Sequence, residues 1–252
     1  GVDSFTLLAI PFFIFAGAVM NVGGVTERIF GFADAVVGWM KGGLGHVNVA
    51  ASVLFSGMSG SAVADVGGLG AIEVKAMREA GYDDDFSIGI TGASSIIGPL
   101  IPPSLPLIIY GVVASESIGS LFLAGIFPGV FLAVMMSLTI FVISWRRGYK
   151  PSLAFKIATV IERGRKAFFP LMTPALIIGG IMTGVFTPTE AAVAASAYAL
   201  FLSTVVFRSM SLRDFTRVSR ETATTSCSIL IIVAGSAIFS WLLTANNVGR
   251  MV

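Results

Sequence analysis

Two apolar stretches of the sequence concentrate serine, glycine and proline, which can supply oxygen ligands for a cation. The first, VNVAASVLFSGMSGSAVADVGGLGAI (47–72), is apolar apart from Asp65 and is interrupted by SGMSGS in its middle. The second, GITGASSIIGPLIPPSLPLIIYG (89–111), is uncharged and contains four prolines. Serine hydroxyls and backbone carbonyls are hard ligands that suit Na⁺, and the sequence has no cluster of Cys and His for a transition metal.

The prolines of the second stretch predict an interrupted helix. Gly98-Pro99 and Pro102-Pro103 each remove a backbone donor, and a proline disfavours helical backbone in the residue before it. Because segment 86–114 is longer than a straight membrane crossing needs, we expect two half-helices with unwound backbone between them. A helix that is only kinked at proline is the alternative.

Unwound backbone inside a membrane persists only beside protein or a polar cavity, so these interruptions predict a binding site. Freed carbonyls around 95–102 and the hydroxyls of Ser94, Ser95 and Ser104 would coordinate a cation, and the start of the second half-helix would face an anion. Asp65 is an ionisable group at membrane depth and therefore a candidate ligand. Its alternative role is to cap the second arm of a helical hairpin.

Composition places these stretches in a lipid bilayer. The 252 residues are 55% hydrophobic and only 12% charged, against about 25% charged in an ordinary soluble domain. The net charge of +2 does not indicate a nucleic-acid partner. A single cysteine, Cys227, cannot form an internal disulfide framework.

Runs of apolar residues predict an all-α polytopic membrane protein. The predicted transmembrane segments are 5–22, 86–114, 118–145, 167–187, 190–207 and 222–245. Most lysines and arginines lie in loops 146–166 and 208–220, which the positive-inside rule assigns to the cytoplasm.

Two further elements precede the broken helix. Each arm of 47–72 is too short to cross the membrane alone, so we expect a re-entrant hairpin that turns at 56–61. One ordinary span with small residues for close helix packing is the alternative. Segment 25–41 mixes apolar and charged positions, which is typical of an interfacial amphipathic helix.

The run SILIIVAGSAIFSWLLTANNVG (228–249) resembles FTLLAIPFFIFAGAVMNVGG (5–24), which suggests an inverted-repeat transporter. Residues 1–145 would form the first repeat, 146–166 a basic cytoplasmic loop, and 167–252 a truncated start of the second repeat. We therefore expect a fragment that is incomplete at both ends.

Five stretches carry a resemblance to a known family. They are DSFTLLAIPFFIFAGAVMN (3–21), FSGMSGSAVADVGGLG (55–70), GASSIIGPLIPPSLPLIIYG (92–111), GVFTPTEAAVAASAYAL (184–200) and ILIIVAGSAIFSWLLT (229–244). In these stretches the chain resembles the large membrane subunit, of the DctM type, of tripartite ATP-independent periplasmic (TRAP) transporters. The spacing of SGSAVAD and GPLIPPS is specific to that family.

The resemblance implies a multi-pass permease of a bacterial or archaeal inner membrane that takes up organic acids, such as C4-dicarboxylates or sialic acid, with Na⁺ by an elevator-like motion. It implies two partners, a small four-helix membrane subunit and a periplasmic binding protein, and no cofactor beyond Na⁺ as the coupling ion. Carried over to this sequence, the ion-binding residues are Ser56, Gly57, Ser59, Ser61, Asp65, Ser94, Ser95, Gly98 and Pro99. The substrate-binding residues are Gly60, Pro102, Pro103 and Ser104.

Other functions are compatible with parts of the sequence. An ion-coupled anion transporter of the same superfamily could work without a binding protein, and a passive channel is a further alternative. An intramembrane serine protease is suggested by Gly57-Met58-Ser59-Gly60, although the only histidine, His46, lies far from Ser59 along the chain. The stretch TPTE (187–190) predicts a helix cap formed by Thr187 or Thr189 with Glu190, and a direct substrate role is its alternative.

Overall fold

The computed structural model describes residues 5–246, and this range is folded into helices without a strand. Phe5–Leu8 and Ser95–Ile97 form 3₁₀ turns, and Val66–Gly70 and Leu202–Val206 form π-turns. The α-helices, in chain order, are α1 (Ala9–Val22), α2 (Val25–Val37), α3 (Gly43–Ser59), α4 (Ala62–Asp65), α5 (Ala71–Glu79), α6 (Asp84–Ser94), α7 (Leu105–Ala114), α8 (Ile118–Arg147), α9 (Ile157–Met182), α10 (Pro188–Phe201) and α11 (Leu212–Ala245).

Helix α1 lies in the centre of the hydrophobic core and packs against α10 and α11. Alanines at three successive turns of α10 are buried, namely Ala191, Ala195 and Ala199. Small side chains allow two helix backbones to approach closely, as is common inside membranes. The Ser196 hydroxyl donates to the Phe12 carbonyl at 2.7 Å, which fixes α10 against α1.

Four helical segments are long and apolar enough to cross a membrane, and they are Phe5–Val22, Ile118–Arg147, Pro188–Val206 and Leu212–Leu243. Three of them lie at the predicted spans 5–22, 118–145 and 190–207. The fourth begins ten residues before the predicted span 222–245, as part of the long helix α11. The all-helical, multi-span character predicted from the sequence is therefore present in the fold.

The basic segment 146–166 is not a loop along most of its length. Helix α8 extends to Arg147 and α9 begins at Ile157, ten residues before the predicted span 167–187. Charged side chains stabilise this first part of α9. Lys166 pairs with Glu162 one turn earlier at 2.7 Å, and Arg163 pairs with Asp34 of α2 at 2.7 Å. Helix α9 ends at Met182, just before Gly184, whose φ is +73°.

The hairpin is also longer than the predicted segment 47–72. Its first arm, α3, begins at Gly43, and its second arm continues through α5 to Glu79. Polar residues extend both arms, and Lys75 lies 3.9 Å from Glu79 in an i,i+4 pair on α5. Helix α2, which lies in the predicted interfacial segment, is by contrast shorter than 25–41, because the chain turns after Val37.

The predicted repeats run into residues 1–4 and 247–252, which lie outside the described range. The similarity of 228–249 to 5–24 includes part of that outer range. Both runs are helical where the structure describes them, since 5–22 ends in α1 and 228–245 belongs to α11. The inverted repeat itself stays a prediction.

Candidate functional site

The tip of the hairpin is a two-residue break between α3 and α4. Gly60 adopts a left-handed conformation with a φ of +59°, and its N–H donates to the Ser56 carbonyl at 3.1 Å. Ser61 is extended, and its hydroxyl accepts the Ala64 N–H at 3.5 Å, which caps the second arm. A glycine followed by a capping serine therefore ends one helix and starts the next.

The second break lies between α6 and α7. After the 3₁₀ turn Ser95–Ile97, residues 98–104 are not helical, and the Pro102–Pro103 peptide is cis. Ser104 is the N-cap of α7, and its hydroxyl accepts the Leu107 N–H at 3.3 Å and donates to the Pro99 carbonyl at 2.5 Å. The interrupted helix predicted from the prolines is present.

The two breaks contact each other directly. The Leu105 N–H, at the start of α7, donates to the Gly60 carbonyl at 3.2 Å. A Cβ on Gly60 would collide with the Pro103 carbonyl, and a Cβ on Gly98 would lie 3.4 Å from the Ser61 backbone. At Gly60 only a residue without a side chain allows this approach. We refer to Gly60, Ser61, Gly98, Pro103 and Leu105 as the tip contact.

Helix α9 packs against the two breaks as a third element, and the sequence did not predict this contact. A Cβ on Gly57 would lie 2.7 Å from Cγ of Pro174, so α9 packs directly under the hairpin tip. The neighbouring Thr173 is fully buried, and its hydroxyl has no hydrogen-bond partner. The paired prolines Pro170 and Pro174 in an apolar run were the available signal, because they resemble the composition of the broken helix.

The predicted ion ligands divide into two groups in space. Near the tip, the Ser56 hydroxyl donates to the Val53 carbonyl at 2.7 Å, the Ser95 hydroxyl donates to the Gly92 carbonyl at 2.8 Å, and the buried Ser59 hydroxyl has no partner. Pro99 accepts from Ser104, as described above. These residues surround the tip contact, together with Gly57 and the predicted substrate residue Pro102.

Ser94 belongs to a second group of polar residues, which lies deeper between α3 and α6. Its hydroxyl donates to Oδ1 of Asn48 at 2.5 Å and accepts from the Ser52 hydroxyl at 3.2 Å. Nδ2 of Asn48 in turn donates to the Thr91 hydroxyl at 2.7 Å. We refer to Asn48, Ser52, Thr91 and Ser94 as the inner polar cluster. Asn48 and Ser52 were missed because the sequence alone does not show which side of α3 faces α6.

Asp65 does not cap the second hairpin arm. Ser61 performs that role, because it precedes the first helical residues, whereas Asp65 already lies within the helical arm. The Asp65 side chain is buried, with 2% exposure, and its Oδ1 has no hydrogen-bond partner. Ser52 of the inner polar cluster lies next to its carboxylate. Asp65 is therefore close to the inner polar cluster rather than to the tip contact.

The TPTE stretch forms the predicted helix cap. The Thr187 hydroxyl accepts the Glu190 N–H at 3.3 Å, and the Glu190 carboxylate accepts the Thr187 N–H at 2.8 Å. This reciprocal arrangement is a capping box at the start of α10. Thr189 does not cap the helix, because its hydroxyl donates to the Phe5 carbonyl at 3.2 Å.

The geometry of Ser59 does not suit a protease. His46 and Ser59 lie on the same helix, α3, thirteen residues apart, which corresponds to about 20 Å along the helix axis. Nε2 of His46 and the Ser59 hydroxyl both lack a partner, so the base does not contact the nucleophile.

The model of the family "Tripartite ATP-independent periplasmic transporter, DctM component" matches residues 1–252. The sialic acid TRAP transporter large permease protein SiaM of Vibrio cholerae is 50% identical over 252 residues, which cover 100% of this chain and 59% of that protein. The sialic acid TRAP transporter permease protein SiaT of Haemophilus influenzae is 45% identical over 250 residues, or 99% of this chain and 41% of that protein.

A third relative has a different substrate in its name. The C4-dicarboxylate TRAP transporter large permease protein DctM of Pseudomonas aeruginosa is 35% identical over 250 residues, which cover 99% of this chain and 58% of that protein. The chain thus spans about three fifths or less of the length of these relatives.

Proposed function

This chain belongs to the DctM component family of tripartite ATP-independent periplasmic transporters, and we propose that it carries the first half of a Na⁺-coupled site for organic-acid uptake. Its relatives are named as permease proteins for sialic acid, 2,3-diketo-L-gulonate and C4-dicarboxylates. Uptake of an organic acid through the membrane is the activity that these names have in common. The coupling ion and the route of substrate delivery are part of our proposal.

The observation that carries the proposal is the tip contact between two interrupted helices. The Leu105 N–H donates to the Gly60 carbonyl, so the end of α3 and the start of α7 lie at one place. Interrupted helices of this kind supply carbonyl oxygens to cations and helix N-termini to anions in secondary transporters. A Na⁺ ion would be held by carbonyls and hydroxyls of 56–61 and 95–99.

We propose that the substrate carboxylate binds beside the start of α7. Pro102, Pro103 and Ser104 precede the first turn of this helix, and its N-terminal dipole favours a negative group. The buried hydroxyls of Ser59 on α3 and Thr173 on α9 have no hydrogen-bond partners. Sialic acid is the first substrate to test, because the relatives at 50% and 45% identity carry that name.

The partners are proposed from the family resemblance. We propose that the whole protein works in the inner membrane with a small membrane subunit and with a periplasmic protein that delivers the substrate. The exposed apolar faces of α8 and α11 support a membrane environment, because Phe127, Phe131, Ile231 and Phe239 are all more than half exposed. These faces could contact lipid, the small subunit or further parts of the protein.

The test is uptake by the full-length permease in proteoliposomes, with its small subunit and the candidate binding protein. We expect saturable sialic acid uptake that needs both an inward Na⁺ gradient and the loaded binding protein. Uptake that needs Na⁺ but not the binding protein would favour the anion transporter that works alone. Uptake that persists without a Na⁺ gradient and does not saturate would favour a channel and would contradict the proposal.

A further inference from the structure

The second arm of the hairpin contains two buried carboxylates, Asp65 and Glu73. The site described above does not involve them as a pair. Asp65 is 2% exposed and Glu73 is 1% exposed. Oδ1 of Asp65 and Oε1 of Glu73 are both shielded from solvent, and neither has a hydrogen-bond partner. An unpaired buried carboxylate is among the least favourable groups in a folded protein, because the charge has lost its hydration.

The π-turn between α4 and α5 brings the two side chains towards one face of the arm. Val66–Gly70 accommodates one additional residue in the helix. Asp65 and Glu73 are eight positions apart in sequence, and the additional residue places them approximately as an i,i+7 pair, two turns apart. The Glu73 side chain points back towards the start of its helix, which shortens its distance to Asp65. The two carboxylates are close enough to repel each other.

The surroundings of the pair are polar on two sides. Ser52 of α3 lies next to the Asp65 carboxylate. Helix α6 packs tightly against the arm, since a Cβ on Gly70 would lie 3.0 Å from the Thr91 side chain. Both Ser52 and Thr91 belong to the inner polar cluster, whose other members are Asn48 and Ser94. The pair therefore lies beside a set of neutral oxygen ligands.

No positive side chain balances the pair within the described residues 5–246. The nearest basic residues of α5 are engaged elsewhere, because Lys75 pairs with Glu79 and Arg78 pairs with Asp84. None of the ion pairs in the described part of the chain includes Asp65 or Glu73. Two buried like charges without a counter-charge are unfavourable until a proton or a bound cation neutralises them. A set of oxygen ligands alone selects a hard cation.

We propose that Asp65 and Glu73 together bind a Na⁺ ion between the second hairpin arm and the inner polar cluster, at a site separate from the tip contact. The inference deepens the proposed Na⁺ coupling and rests on it. It adds Glu73, which the sequence analysis did not name, as an ion ligand. It also assigns Asp65 to this inner site. The ion would tie α5 to α3 and α6, three helices that the tip contact alone does not join.

The test uses the purified full-length permease and compares Glu73→Gln with Glu79→Gln. Both substitutions replace a carboxylate by an amide on α5, but the Glu79 side chain is 69% exposed and belongs to a surface pair. The melting temperature is measured as NaCl replaces choline chloride at constant ionic strength. We expect Glu73→Gln to raise the Na⁺ concentration for half-maximal stabilisation about tenfold or more. Glu79→Gln is expected to match the wild type.

The same variant makes a second, distinctive prediction in sodium-free buffer. Glu73→Gln removes an uncompensated buried charge, so it is expected to fold and to melt at or above the wild-type temperature. Asp65→Asn is expected to behave in the same way and is the second variant if Glu73→Gln does not accumulate. Failure of both variants to fold would contradict the proposal, because neutral amides are easier to bury than unpaired carboxylates.

Three further outcomes separate this inference from the proposed function. If wild-type uptake depends on Na⁺ while Glu73→Gln retains the wild-type Na⁺ dependence of stability, the inner site is wrong and the coupling stands. If Glu73→Gln alters only the pH dependence of stability, the pair holds a proton and not a metal ion, and the inference is overturned. If wild-type uptake does not depend on Na⁺, the proposed function itself is wrong.

Discussion

Prolines interrupt the helical path between α6 and α7, whereas prolines within α8 and α9 leave those helices continuous. Pro128 lies inside α8, and Pro170 and Pro174 lie inside α9. Each of these prolines removes one backbone hydrogen bond. The two prolines of α9 lie about one helical turn apart. In 98–104 two prolines are adjacent, and a third follows a glycine.

The difference also lies in where the freed backbone groups find partners. At the interrupted segment, the Gly60 carbonyl accepts the Leu105 N–H, and the Pro99 carbonyl accepts the Ser104 hydroxyl. The hairpin tip thus stabilises the unwound backbone, and the unwound backbone fills the space over the tip. Proline content alone does not interrupt a helix. In this chain the interrupted segment has clustered prolines and a second interrupted element placed against it.

The largest effect that this comparison predicts is for Gly60→Ala. The new Cβ would meet the Pro103 carbonyl, and the left-handed backbone disfavours alanine. We expect uptake by the full-length permease to fall on the order of 100-fold, as for a displaced binding group.

Gly148→Ala is the matched control for this change. Gly148 has a φ of +72° at the end of α8, but a Cβ there would meet no atom within 4 Å. This variant is expected to lose only roughly 1–2 kcal/mol of stability and to keep its uptake. Equal losses of uptake in the two variants would show that backbone strain, and not the tip contact, is responsible.

The next effect concerns the adjacent prolines themselves. Replacing both Pro102 and Pro103 by alanine restores two backbone donors and allows α6 and α7 to join. We expect uptake to fall on the order of tenfold, because the binding groups shift. Pro128→Ala restores one donor within α8 and is expected to leave uptake within about twofold of wild type. If the double replacement transports normally, the interruption is not needed for function.

A smaller effect is expected for the cap of α7. Ser104→Ala removes the acceptor of the Leu107 N–H and the donor to the Pro99 carbonyl, at a cost of about 1 kcal/mol for the cap. Ser117→Ala removes the equivalent cap of α8, which accepts the Ser120 N–H at 3.3 Å. Thermal unfolding is expected to respond similarly to both changes. Uptake is expected to fall only for Ser104→Ala. Similar uptake in both variants would show that the Ser104 cap is not part of the proposed site.

The smallest effect lies at the turn between α5 and α6, outside the predicted spans. A hydrogen bond from the Tyr149 hydroxyl, at 2.6 Å, is the largest cause that holds the pKa of Asp83 below its ordinary value, and Arg147 adds to it. A depressed pKa contributes stability above the ordinary value of about 4, and this contribution is lost as the pH falls through the depressed pKa.

Tyr149→Phe is therefore expected to lower the melting temperature slightly at pH 7 and to differ less from wild type in acid. The comparison variant is Tyr110→Phe on the exposed side of α7. A constant difference between Tyr149→Phe and wild type at all pH values would assign the effect to ring packing against Tyr82, whose ring centroid lies 4.2 Å away.

The helix breaks could be predicted from the sequence because glycine, proline and serine act on their own backbone. The interruption at 98–104 and the turn at the hairpin tip follow from local chemistry of this kind. The capping box at Thr187 and Glu190 is equally local. The prediction of a loop over 146–166 was wrong for its second half, because Arg163 pairs with Asp34 and Lys166 pairs with Glu162 within a helix.

The inner polar cluster and the two buried carboxylates beside it could not be predicted, because their arrangement depends on the relative rotation of three helices. Asn48 meets Thr91 and Ser94 across 43 and 46 positions of sequence. Glu73 lies on the same side of the arm as Asp65 only because of the π-turn Val66–Gly70. The glycines of VGGLG did not predict this change of helical register. Asp65 stays a predicted ion ligand, and its burial beside Ser52 was visible only in the fold.

The sodium titration of uptake by Ser95→Ala tests the central claim most directly. The Ser95 hydroxyl lies at the interrupted helix and donates to the Gly92 carbonyl at 2.8 Å. Ser228 makes the same type of bond to the Thr224 carbonyl at 3.0 Å on α11, away from both breaks, and Ser228→Ala is the control. We predict that Ser95→Ala raises the Na⁺ concentration for half-maximal uptake about tenfold and that Ser228→Ala leaves it unchanged. An unchanged Na⁺ dependence in Ser95→Ala at normal expression would contradict a cation site at the interrupted helices.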